Sequence, residues 1–577
     1  MTSTYASRSI SNTAAAIVAA TAIGNCNVFT GTVRNGGVSL GNVARLGMKL
    51  ERRQLKSWVA NFISPGMKLG VGTSFSGRRG PQSMKAFRLD GQSSQAGGGF
   101  APAEEEPVKS FQWRDPKNPR ICILGGGFGG LYTALRLESL TWAPDKRPQV
   151  LLIDQSDRFV FKPMLYEMLS KEVDGWEIAP TFAELLSNTS VKFIKDTVKA
   201  VLPYDSRSGN SSQTPESKST GGTVFLDGGD YVDYDWLVLA LGAESKLNLV
   251  PGALEFALPF TTLEDALDVD RRLVALERER FGLEDTPIEV VIVGSGYSGV
   301  ELAATLAERL GKKGKVQLVD PNPDICASAP AGNREAAARV LLSRGVQLDL
   351  GYFVTNIKDL VDSGTDFGEN DMKSHPRQRK LIVDLKLAQR QTRGSTGGRQ
   401  LKADLVLWTI GNRATVPSGP NTDYAAFPVN GRGQADTDEN LRVKGHPRIF
   451  AIGDSAGSKD SSGRLLPTTA QVAFQQADYT GWNLWAAIND RPLLPFRYQH
   501  LGEMMTLGTT DAAVTLGFVD NVTLDGLLGH TVRKLAYLYR LPKDDHKVKV
   551  ALSWLAKSTI SYFSFIQDQL TKVASSR

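Results

Sequence analysis

The sequence predicts an α/β fold with two parallel sheets, each covered by helices, and three observations support this prediction. Two glycine-rich turns of the pattern GxGxxG lie 169 residues apart, each between a short apolar run and a helix-forming stretch. A second apolar run follows each turn and ends in an acid. A further apolar run late in the chain closes on Gly-Asp. One GxGxxG alone is weak evidence, but two in this context predict two Rossmann-type dinucleotide-binding domains.

The first turn contains Gly125, Gly127 and Gly130 and lies in RICILGGGFGGLYTALRLESL, where ICIL is the predicted strand. The first glycine adopts a backbone conformation that other residues resist, and the second lets the main chain approach a pyrophosphate. The third lets the helix pack closely on the strand, and Phe128 lies within the same turn. Asp154 ends the next strand 29 residues after Gly125, where a carboxylate can bind ribose hydroxyls.

The second turn contains Gly294, Gly296 and Gly299 and lies in IEVVIVGSGYSGVELAATLAERL. Asp320 ends the following strand 26 residues after Gly294. A carboxylate at that position accepts the ribose hydroxyls of NADH and repels the 2′-phosphate of NADPH, which favours NADH. A more distant basic residue, Arg334, could fold over the site, so NADPH remains open.

A third segment indicates which dinucleotides are bound. RIFAIGDSAG, which contains Gly453 and Asp454, resembles the second flavin fingerprint of flavoproteins with two dinucleotide domains, in which the Asp meets the ribityl chain of FAD. Two other predicted strands, ending at Gly242 and Gly411, resemble the crossings between the domains of such proteins. The order along the chain then assigns the first turn to FAD, the second to NADH or NADPH, and the Gly-Asp element to FAD.

The first 89 residues have the composition of an organelle transit peptide, with twelve Lys or Arg against one acid, Glu51. The alternative is a disordered basic tail, and residues 90–117 are predicted to be a linker. The whole chain carries a net charge of +6, and residues 1–89 carry more than that by themselves. The rest of the chain is therefore acidic, and its charge gives no reason to predict binding to nucleic acid.

The cysteines exclude one class of reaction. Only Cys26, Cys122 and Cys326 occur, and no CxxC or CxxxxC follows the first turn. Disulfide reductases of this architecture need such a pair to take electrons from the flavin. The five histidines are scattered, so no metal site is predicted. The flavin is therefore expected to pass its electrons directly to an acceptor that diffuses in.

The C-terminal segment from Gly526 to Arg577 is basic and contains a helix-like apolar pattern that includes Val548, Leu552 and Leu555. Polar residues interrupt the pattern, so it is not a transmembrane span. Two interpretations remain. A basic amphipathic helix can lie in the headgroup region of a membrane, or it can pack on its own domain or on a second subunit.

From about Arg120 to the C-terminus, the chain resembles the type II NAD(P)H:quinone oxidoreductases, in particular their plastid-targeted plant and algal branch. The shared motifs are the two glycine turns, the Gly-Asp element, FVFKPMLYE and LPTTAQVAFQQA. The resemblance implies FAD, with NADH or NADPH as co-substrate and a membrane prenylquinone of the plastoquinone or prenyl-naphthoquinone type as acceptor. It also implies a peripheral membrane location in the chloroplast, with the mitochondrion as second choice, and it allows a homodimer.

The resemblance also carries over residue roles. The helix that begins with Ala470 lies under the flavin ring in the family and lines the quinone tunnel, which makes Gln471 and Gln475 candidates for the quinone site. Glu301 matches a family glutamate near the flavin and nicotinamide. It is either a proton carrier, if burial raises its pKa, or a structural acid at a helix start. Lys162 replaces an uncharged polar residue of many relatives and is either a flavin contact or a solvated charge.

The predicted organisation follows from these motifs. The FAD-binding domain comprises residues 118–260 and 413–500, the second part including the quinone-site helix. The NAD(P)H-binding domain is inserted as residues 261–412, and residues 501–577 are predicted to associate with a membrane. Two rival functions stay open: a soluble FAD-dependent NAD(P)H reductase of a small protein or radical acceptor, and a flavin-binding signalling or structural protein without turnover.

Overall fold

The computed structural model describes residues 110–204, 221–283, 286–360, 380–388, 398–517 and 522–557. The predicted transit peptide and most of the predicted linker lie outside the described residues. So does the second half of the predicted C-terminal helix, from residue 558 onward.

The described residues form 21 strands. The strands are β1 Arg120–Leu124, β2 Gln149–Asp154, β3 Lys192–Lys195, β4 Val198–Pro203, β5 Gly222–Leu226, β6 Tyr231–Tyr234, β7 Trp236–Leu239, β8 Ala243–Ser245, β9 Ala257–Pro259, β10 Ile288–Val293, β11 Gly314–Asp320, β12 Gln347–Leu350, β13 Tyr352–Asp359, β14 Leu381–Leu387, β15 Arg399–Ala403, β16 Leu405–Trp408, β17 Asn412–Ala414, β18 Ile449–Ala451, β19 Gly502–Thr506, β20 Ala512–Leu516 and β21 Thr523–Asp525.

The α-helices are α1 Phe128–Ser139, α2 Gly175–Ile178, α3 Phe182–Leu186, α4 Ala253–Phe256, α5 Leu263–Glu279, α6 Tyr297–Leu310, α7 Ala331–Ser343, α8 Ala470–Ile488, α9 Gly526–Arg540 and α10, which is described over residues 544–557. Four 3-10 helices comprise Lys162–Met168, Leu247–Leu249, Gly311–Lys313 and Gly453–Ser455.

Two five-stranded parallel sheets of the same design organise these elements, as the sequence predicts. The first has the strand order β18-β7-β1-β2-β3 and the second the order β12-β11-β10-β16-β9. In each, the strand before the glycine turn lies at the centre, between the strand that ends in the predicted acid and the strand that leads to a crossing. Helices cover one face of each sheet and antiparallel strands cover the other, which explains why the central strands are largely apolar and buried.

Each parallel sheet is accompanied by a three-stranded antiparallel sheet, β4-β5-β6 in the first domain and β13-β14-β15 in the second. The two predicted crossings form a two-stranded ribbon, because β8 pairs antiparallel with β17 directly after Gly242 and Gly411. Both glycines have positive φ, of 76° and 72°. Glycine adopts this conformation without the strain that a side chain brings, which suits it to the point where the chain leaves one sheet for the other.

The region predicted as a single membrane-associated segment begins with a sheet. Strands β19, β20 and β21 form an antiparallel meander, which the sequence reasoning missed. The meander packs on the second domain, where the Asn333 side chain donates to the main-chain oxygen of Glu503 and accepts from Thr515. Helix α9 follows directly after β21.

Helix α10 packs on its own domain over the described residues 544–557. Val550 is fully buried, Lys557 pairs with Asp174 and Glu177, and Lys534 of α9 lies over the ring of Trp554. Of the two interpretations of this helix, packing on its own domain is the one that the described half shows. Among the described residues, no helix is long and apolar enough to cross a membrane.

Candidate functional site

The first glycine turn combines two glycines that packing requires with one that faces open space. Gly125 has φ of 96°, and a Cβ there would lie 2.3 Å from the carbonyl oxygen of Ala240. A Cβ on Gly130 would lie 1.8 Å from the carbonyl oxygen of Gly125. At Gly127 a Cβ would meet no atom within 4 Å. Packing therefore fixes the first and third glycines, and the second leaves room at the start of α1.

The second turn repeats this arrangement. Gly294 has φ of 108°, and a Cβ on Gly299 would lie 1.8 Å from the carbonyl oxygen of Gly294, whereas Gly296 again meets nothing within 4 Å. Helices α1 and α6 begin at these turns without a side-chain cap and without an acid in their first turn. Main-chain N–H groups at a helix N-terminus bind phosphate, so both turns fit the pyrophosphate of a dinucleotide.

The two acids after the turns have the same contacts in both domains. Asp154 accepts the N–H of Gly126 at 2.6 Å and that of Ser156 at 2.8 Å. Asp320 likewise accepts the N–H of Ser295 at 2.7 Å and the N–H and side-chain amide of Asn322 at 2.8 Å. Each carboxylate thus ties its glycine turn to the strand beside it. This structural role was missed by the sequence reasoning, and ribose binding by the same carboxylates stays a prediction.

Lys162 lies near both predicted FAD acids. Burial raises the pKa of Asp154 and of Asp454, and the positive charge of Lys162 opposes that rise at both carboxyls. Lys162 begins a 3-10 helix and is exposed. Of the two interpretations of Lys162, its position beside these two carboxyls favours a flavin contact.

The Gly-Asp element is held by a glutamine that the sequence reasoning did not single out. Gly453, with φ of 65°, donates its N–H to Oε1 of the buried Gln476 at 2.7 Å. Ser455 joins the element to the first crossing, because its hydroxyl accepts the N–H of Gly242 at 2.8 Å. Helix α8 therefore supports the turn that carries Asp454. Gln476 is the second glutamine of the Gln-Gln pair in the motif LPTTAQVAFQQA, and that pair was the signal that could have identified it.

Gln471 and Gln475 lie on the first turns of α8, and both side chains bind the main chain just before β19. The amide of Gln471 donates to the Gly502 oxygen at 3.0 Å and accepts the N–H of Leu501 at 3.0 Å. The amide of Gln475 donates to the oxygen of Gln499 at 2.8 Å and accepts its N–H at 3.0 Å. Both glutamines thus position this segment, and each amide nitrogen keeps a second N–H for a ligand.

Glu301 is buried on α6, with 6% of its surface exposed. Its Oε1 accepts the N–H of Thr506 in β19 at 2.9 Å. Burial raises the pKa of Glu301 to about 8, although the Thr506 N–H and the charge of Arg533 oppose the rise and Glu167 adds to it. A carboxyl with such a pKa exchanges protons near neutral pH, as the proton-carrier interpretation requires.

A buried charge cluster beside Glu301 was also missed. Arg533 of α9 is fully buried and pairs with Glu167, with Nη1 and Oε1 2.6 Å apart. His530 and Lys534 of the same helix both contact Glu172. Glu167 belongs to the quoted motif FVFKPMLYE, but Arg533 entered the sequence reasoning only as part of a net charge. The available signal was a single acid in a largely apolar motif, and nothing local identified its partner.

Cysteine chemistry is absent from the described site. Cys122 and Cys326, the two cysteines in the described ranges, are buried in different domains and carry free thiols. Burial raises the pKa of both thiols, which disfavours the reactive thiolate.

Comparison with known proteins identifies the family. A family model described as pyridine nucleotide-disulphide oxidoreductase matches residues 119–477. A protein of Arabidopsis thaliana, the alternative NAD(P)H-ubiquinone oxidoreductase C1, chloroplastic/mitochondrial, is 56% identical over 475 residues, which cover 82% of this chain and 87% of that protein. The chain belongs to the alternative, or type II, NAD(P)H:quinone oxidoreductases. The demethylphylloquinone reductase NdbB of Synechocystis is 41% identical over 439 residues, which cover 76% of this chain and 96% of that protein.

Solved structures share the fold. The NDH2 of Plasmodium falciparum in complex with NADH aligns with a TM-score of 0.59 at 15% identity, covering 76% of this chain and 98% of that one. The sulfide:quinone oxidoreductase of Aquifex aeolicus aligns with a TM-score of 0.54 at 17% identity, covering 74% of this chain and 92% of that one. At these identities, the likeness concerns the fold alone.

Several expectations are confirmed by these relatives. This type II oxidoreductase is an enzyme of the NAD(P)H-quinone class, with FAD and with NADH or NADPH as co-substrate. The name of the Arabidopsis thaliana relative includes the locations chloroplastic and mitochondrial. This agrees with the predicted chloroplast location and with the mitochondrion as second choice. The residue roles, the domain boundaries, the membrane contact and the homodimer stay predictions.

Proposed function

We propose that this enzyme oxidises NADH or NADPH at the second glycine turn and reduces a membrane prenylquinone at the N-terminal end of α8, without pumping protons. Bound FAD would supply the hydride and electron transfer between these two substrates. The observation that carries the proposal is the position of β19, which touches both the Gln471 helix and the buried Glu301. One strand thereby connects the helix that carries the predicted quinone residues with the predicted proton carrier, which supports the proposal.

The residues of the first turn would hold FAD. The uncapped N-terminus of α1 and the open space at Gly127 fit its pyrophosphate, and Asp454 would bind the ribityl chain. Lys162, near both Asp154 and Asp454, would balance the negative charge collected there. The protein's main contribution is to orient the two substrates and to exclude water.

Gln471 and Gln475 would orient the quinone. Their amides are fixed by main-chain partners in the segment before β19, so their remaining N–H groups have a set direction. A preorganised donor of this kind favours the build-up of negative charge on a quinone oxygen. The two related proteins act on a ubiquinone and on demethylphylloquinone, as their names state, which supports a prenylated quinone here.

Glu301 would hold a proton close to the reaction. Because burial raises its pKa to about 8, it is largely protonated at neutral pH and can release the proton as the quinone is reduced. Arg533 and Glu167 act on this pKa with opposite signs, so the buried pair makes only a small adjustment to the rise that burial causes.

Anaerobic spectroscopy of the purified holoenzyme tests the function. Addition of NADH or NADPH should bleach the flavin absorbance, and a soluble short-chain quinone should restore it within the turnover time. Ferredoxin and the ascorbate radical are tested in the same way, because they are the acceptors that the rival soluble reductase would use. Failure of every quinone to reoxidise the flavin would refute the proposal, and a flavin that neither nucleotide bleaches would favour a binding protein without turnover.

A further inference from the structure

A chain of polar side chains runs along the segment that Gln471 and Gln475 hold. The hydroxyl of Tyr498 donates to Oε1 of Gln471 at 2.6 Å and lies 3.3 Å from Nδ1 of His500. On its other side, the His500 ring has its Nε2 3.9 Å from Oε1 of Glu503. The second oxygen of Glu503 accepts the hydroxyl of Tyr297, which directly follows Gly296 in the second glycine turn.

The hydrogen positions in this chain follow from its geometry. Tyr498 has one hydroxyl hydrogen, and Gln471 Oε1 can only accept, so that hydrogen points to Gln471. Nδ1 of His500 must therefore carry a hydrogen and donate it to the Tyr498 oxygen. The chain is thus oriented inward, from the imidazole through the tyrosine hydroxyl to the amide of the proposed quinone site.

The outer end of the chain is more exposed to water than the inner end. The His500 side chain is 48% exposed, whereas Tyr498 is half-buried. Burial, together with the charge of Glu503, raises the pKa of Tyr498 to about 12, so this hydroxyl stays protonated and acts as a relay. Of the four histidines in the described ranges, the other three lie against Phe427, Glu172 and Glu177 and not on this segment.

The reaction needs a proton from water. NAD(P)H supplies two electrons and one proton as a hydride, and a quinone takes two electrons and two protons to become a quinol. One proton per turnover must therefore cross from solvent to the quinone oxygen. Histidine is the side chain best suited to take up and release a proton near neutral pH.

We propose that His500 and Tyr498 form the route by which this solvent proton reaches the quinone. The inference rests on the proposed function of the Gln471 helix. As a quinone oxygen accepts the hydroxyl proton of Tyr498, the tyrosine oxygen takes the Nδ1 proton of an imidazolium at His500. The imidazole is left neutral with its proton on Nε2. The relay is reset when the tyrosine hydroxyl turns back to Gln471 and water reloads Nδ1.

Glu503 is a positioning residue in this scheme. Its carboxylate faces Nε2 of His500 and orients the imidazole ring, while its hydrogen bond from Tyr297 holds it in place. Tyr297, Tyr498 and Glu503 are the titratable groups that contact or face this imidazole or its carboxylate partner. Glu301, which accepts the N–H of Thr506 in β19, would pass on the proton that the hydride brings, so that two protons in all reach the quinone.

The test measures flavin reduction by NADH and flavin reoxidation by quinone separately in the variants His500→Ala and Tyr498→Phe. His446→Ala, at a histidine outside this segment, is the control. We expect flavin reduction by NADH to stay within about twofold of wild type, and quinone-dependent reoxidation to slow by on the order of a hundredfold, the usual size of a general-acid contribution. Added imidazole should restore reoxidation in His500→Ala but not in Tyr498→Phe. Slowed reoxidation without rescue by imidazole would mean that His500 is only structural and would overturn the proposal.

A second measurement does not depend on turnover. In histidine-labelled holoenzyme without quinone, ¹⁵N NMR should find His500 protonated at Nδ1, and Tyr498→Phe should remove this preference. A wild-type His500 protonated only at Nε2 would overturn the proposal. If wild-type flavin is never reoxidised by quinone, the proposed function fails, whereas normal reoxidation in His500→Ala rejects the relay alone.

Discussion

Arg533 of α9 and Glu167 of the first 3-10 helix form an ion pair in which neither side chain is more than 2% exposed. The pair joins the C-terminal region to the motif FVFKPMLYE across 366 residues of sequence. Burial alone would lower the pKa of Arg533, but Glu167, Tyr537 and Glu172 together outweigh it and raise the pKa, so the guanidinium stays charged. Helix α9 is therefore part of the folded body of the enzyme.

Removing one partner of this pair should destabilise the enzyme strongly. Arg533→Met leaves the Glu167 charge buried without its partner, and we expect a loss of about 3–5 kcal/mol in the free energy of unfolding. Arg533→Met combined with Glu167→Leu should be less destabilised than either single variant. Denaturant unfolding of the three variants measures this.

The control is an exposed pair, Arg271 with Asp268, where the arginine side chain is 74% exposed. Arg271→Ala should cost at most about 1 kcal/mol. A loss at Arg533 no larger than the loss at Arg271 would contradict the structural role of the buried pair.

Glu301 should give the enzyme a pH-dependent stability. Because its folded pKa is raised from 4.5 to about 8, the folded state holds a proton between these values that the unfolded state has released. Stability therefore falls as pH rises through this window, by on the order of a few kcal/mol in total. Glu301→Gln should remove this part of the slope. Equal slopes for wild type and Glu301→Gln between pH 5 and 9 would show that the carboxyl is not perturbed.

Substitutions in the glycine turns should affect dinucleotide binding at the second glycine and folding at the third. Gly127→Ala meets no neighbouring atom, so we expect a folded protein that loses FAD more readily, measured by flavin retention during gel filtration. Gly296→Ala should keep its flavin and show a raised KM for NADH. Gly130→Ala serves as the contrast, because its Cβ would lie 1.8 Å from a carbonyl oxygen and should prevent stable folding. Full flavin content and an unchanged KM in the first two variants would disprove phosphate binding at these positions.

Asp320 should determine the choice between NADH and NADPH. Asp320→Asn keeps an oxygen for the N–H of Ser295 but removes the negative charge. We expect the ratio of kcat/KM for NADPH to that for NADH to rise roughly tenfold, equivalent to about 1.4 kcal/mol. Asn322→Ala, which removes an amide contact to the same carboxylate, is the matched control. An unchanged ratio in Asp320→Asn would mean that another residue selects the nucleotide.

Exposed apolar residues of α9 should bind a membrane surface. Leu527 and Leu528 are 57% and 60% exposed at its first turn. Replacing both by Glu should reduce cosedimentation with anionic vesicles at least severalfold, because each buried leucine contributes about 1.5–3 kcal/mol. Leu342→Glu, at a residue 62% exposed on α7 of the second domain, is the control. If the Leu527/Leu528 double variant and the Leu342→Glu control bind vesicles equally well, α9 is excluded as the membrane contact.

The parts of the structure that depend on local patterns could be predicted from the sequence. The central strands, the glycine turns and the acids after them lie within about thirty residues of each other, so their spacing alone defines them. Gln471 and Gln475 were found by family resemblance. Most of their partners are main-chain groups of residues 499–502, which carry no side-chain signal, and the one side-chain partner, Tyr498, lies 27 residues from Gln471.

The remaining features depend on contacts between distant residues. Thr506 meets Glu301 across 205 residues, and Arg533 meets Glu167 across the whole second domain. The meander β19–β21 was missed because its short strands were grouped with the basic, helix-patterned segment that begins at Gly526. Composition describes a segment's average, and here one buried arginine matters more than that average.

Strand β19 fastens the FAD-binding part to the NAD(P)H-binding part at two points, through Gln471 at its start and Glu301 at its end. A strand bound to both domains in this way leaves little freedom for a hinge motion between them. We therefore expect the nucleotide and the quinone to enter and leave by separate openings, while the distance between the two domains stays constant. Small-angle scattering profiles of the oxidised and the NADH-treated enzyme should then superimpose.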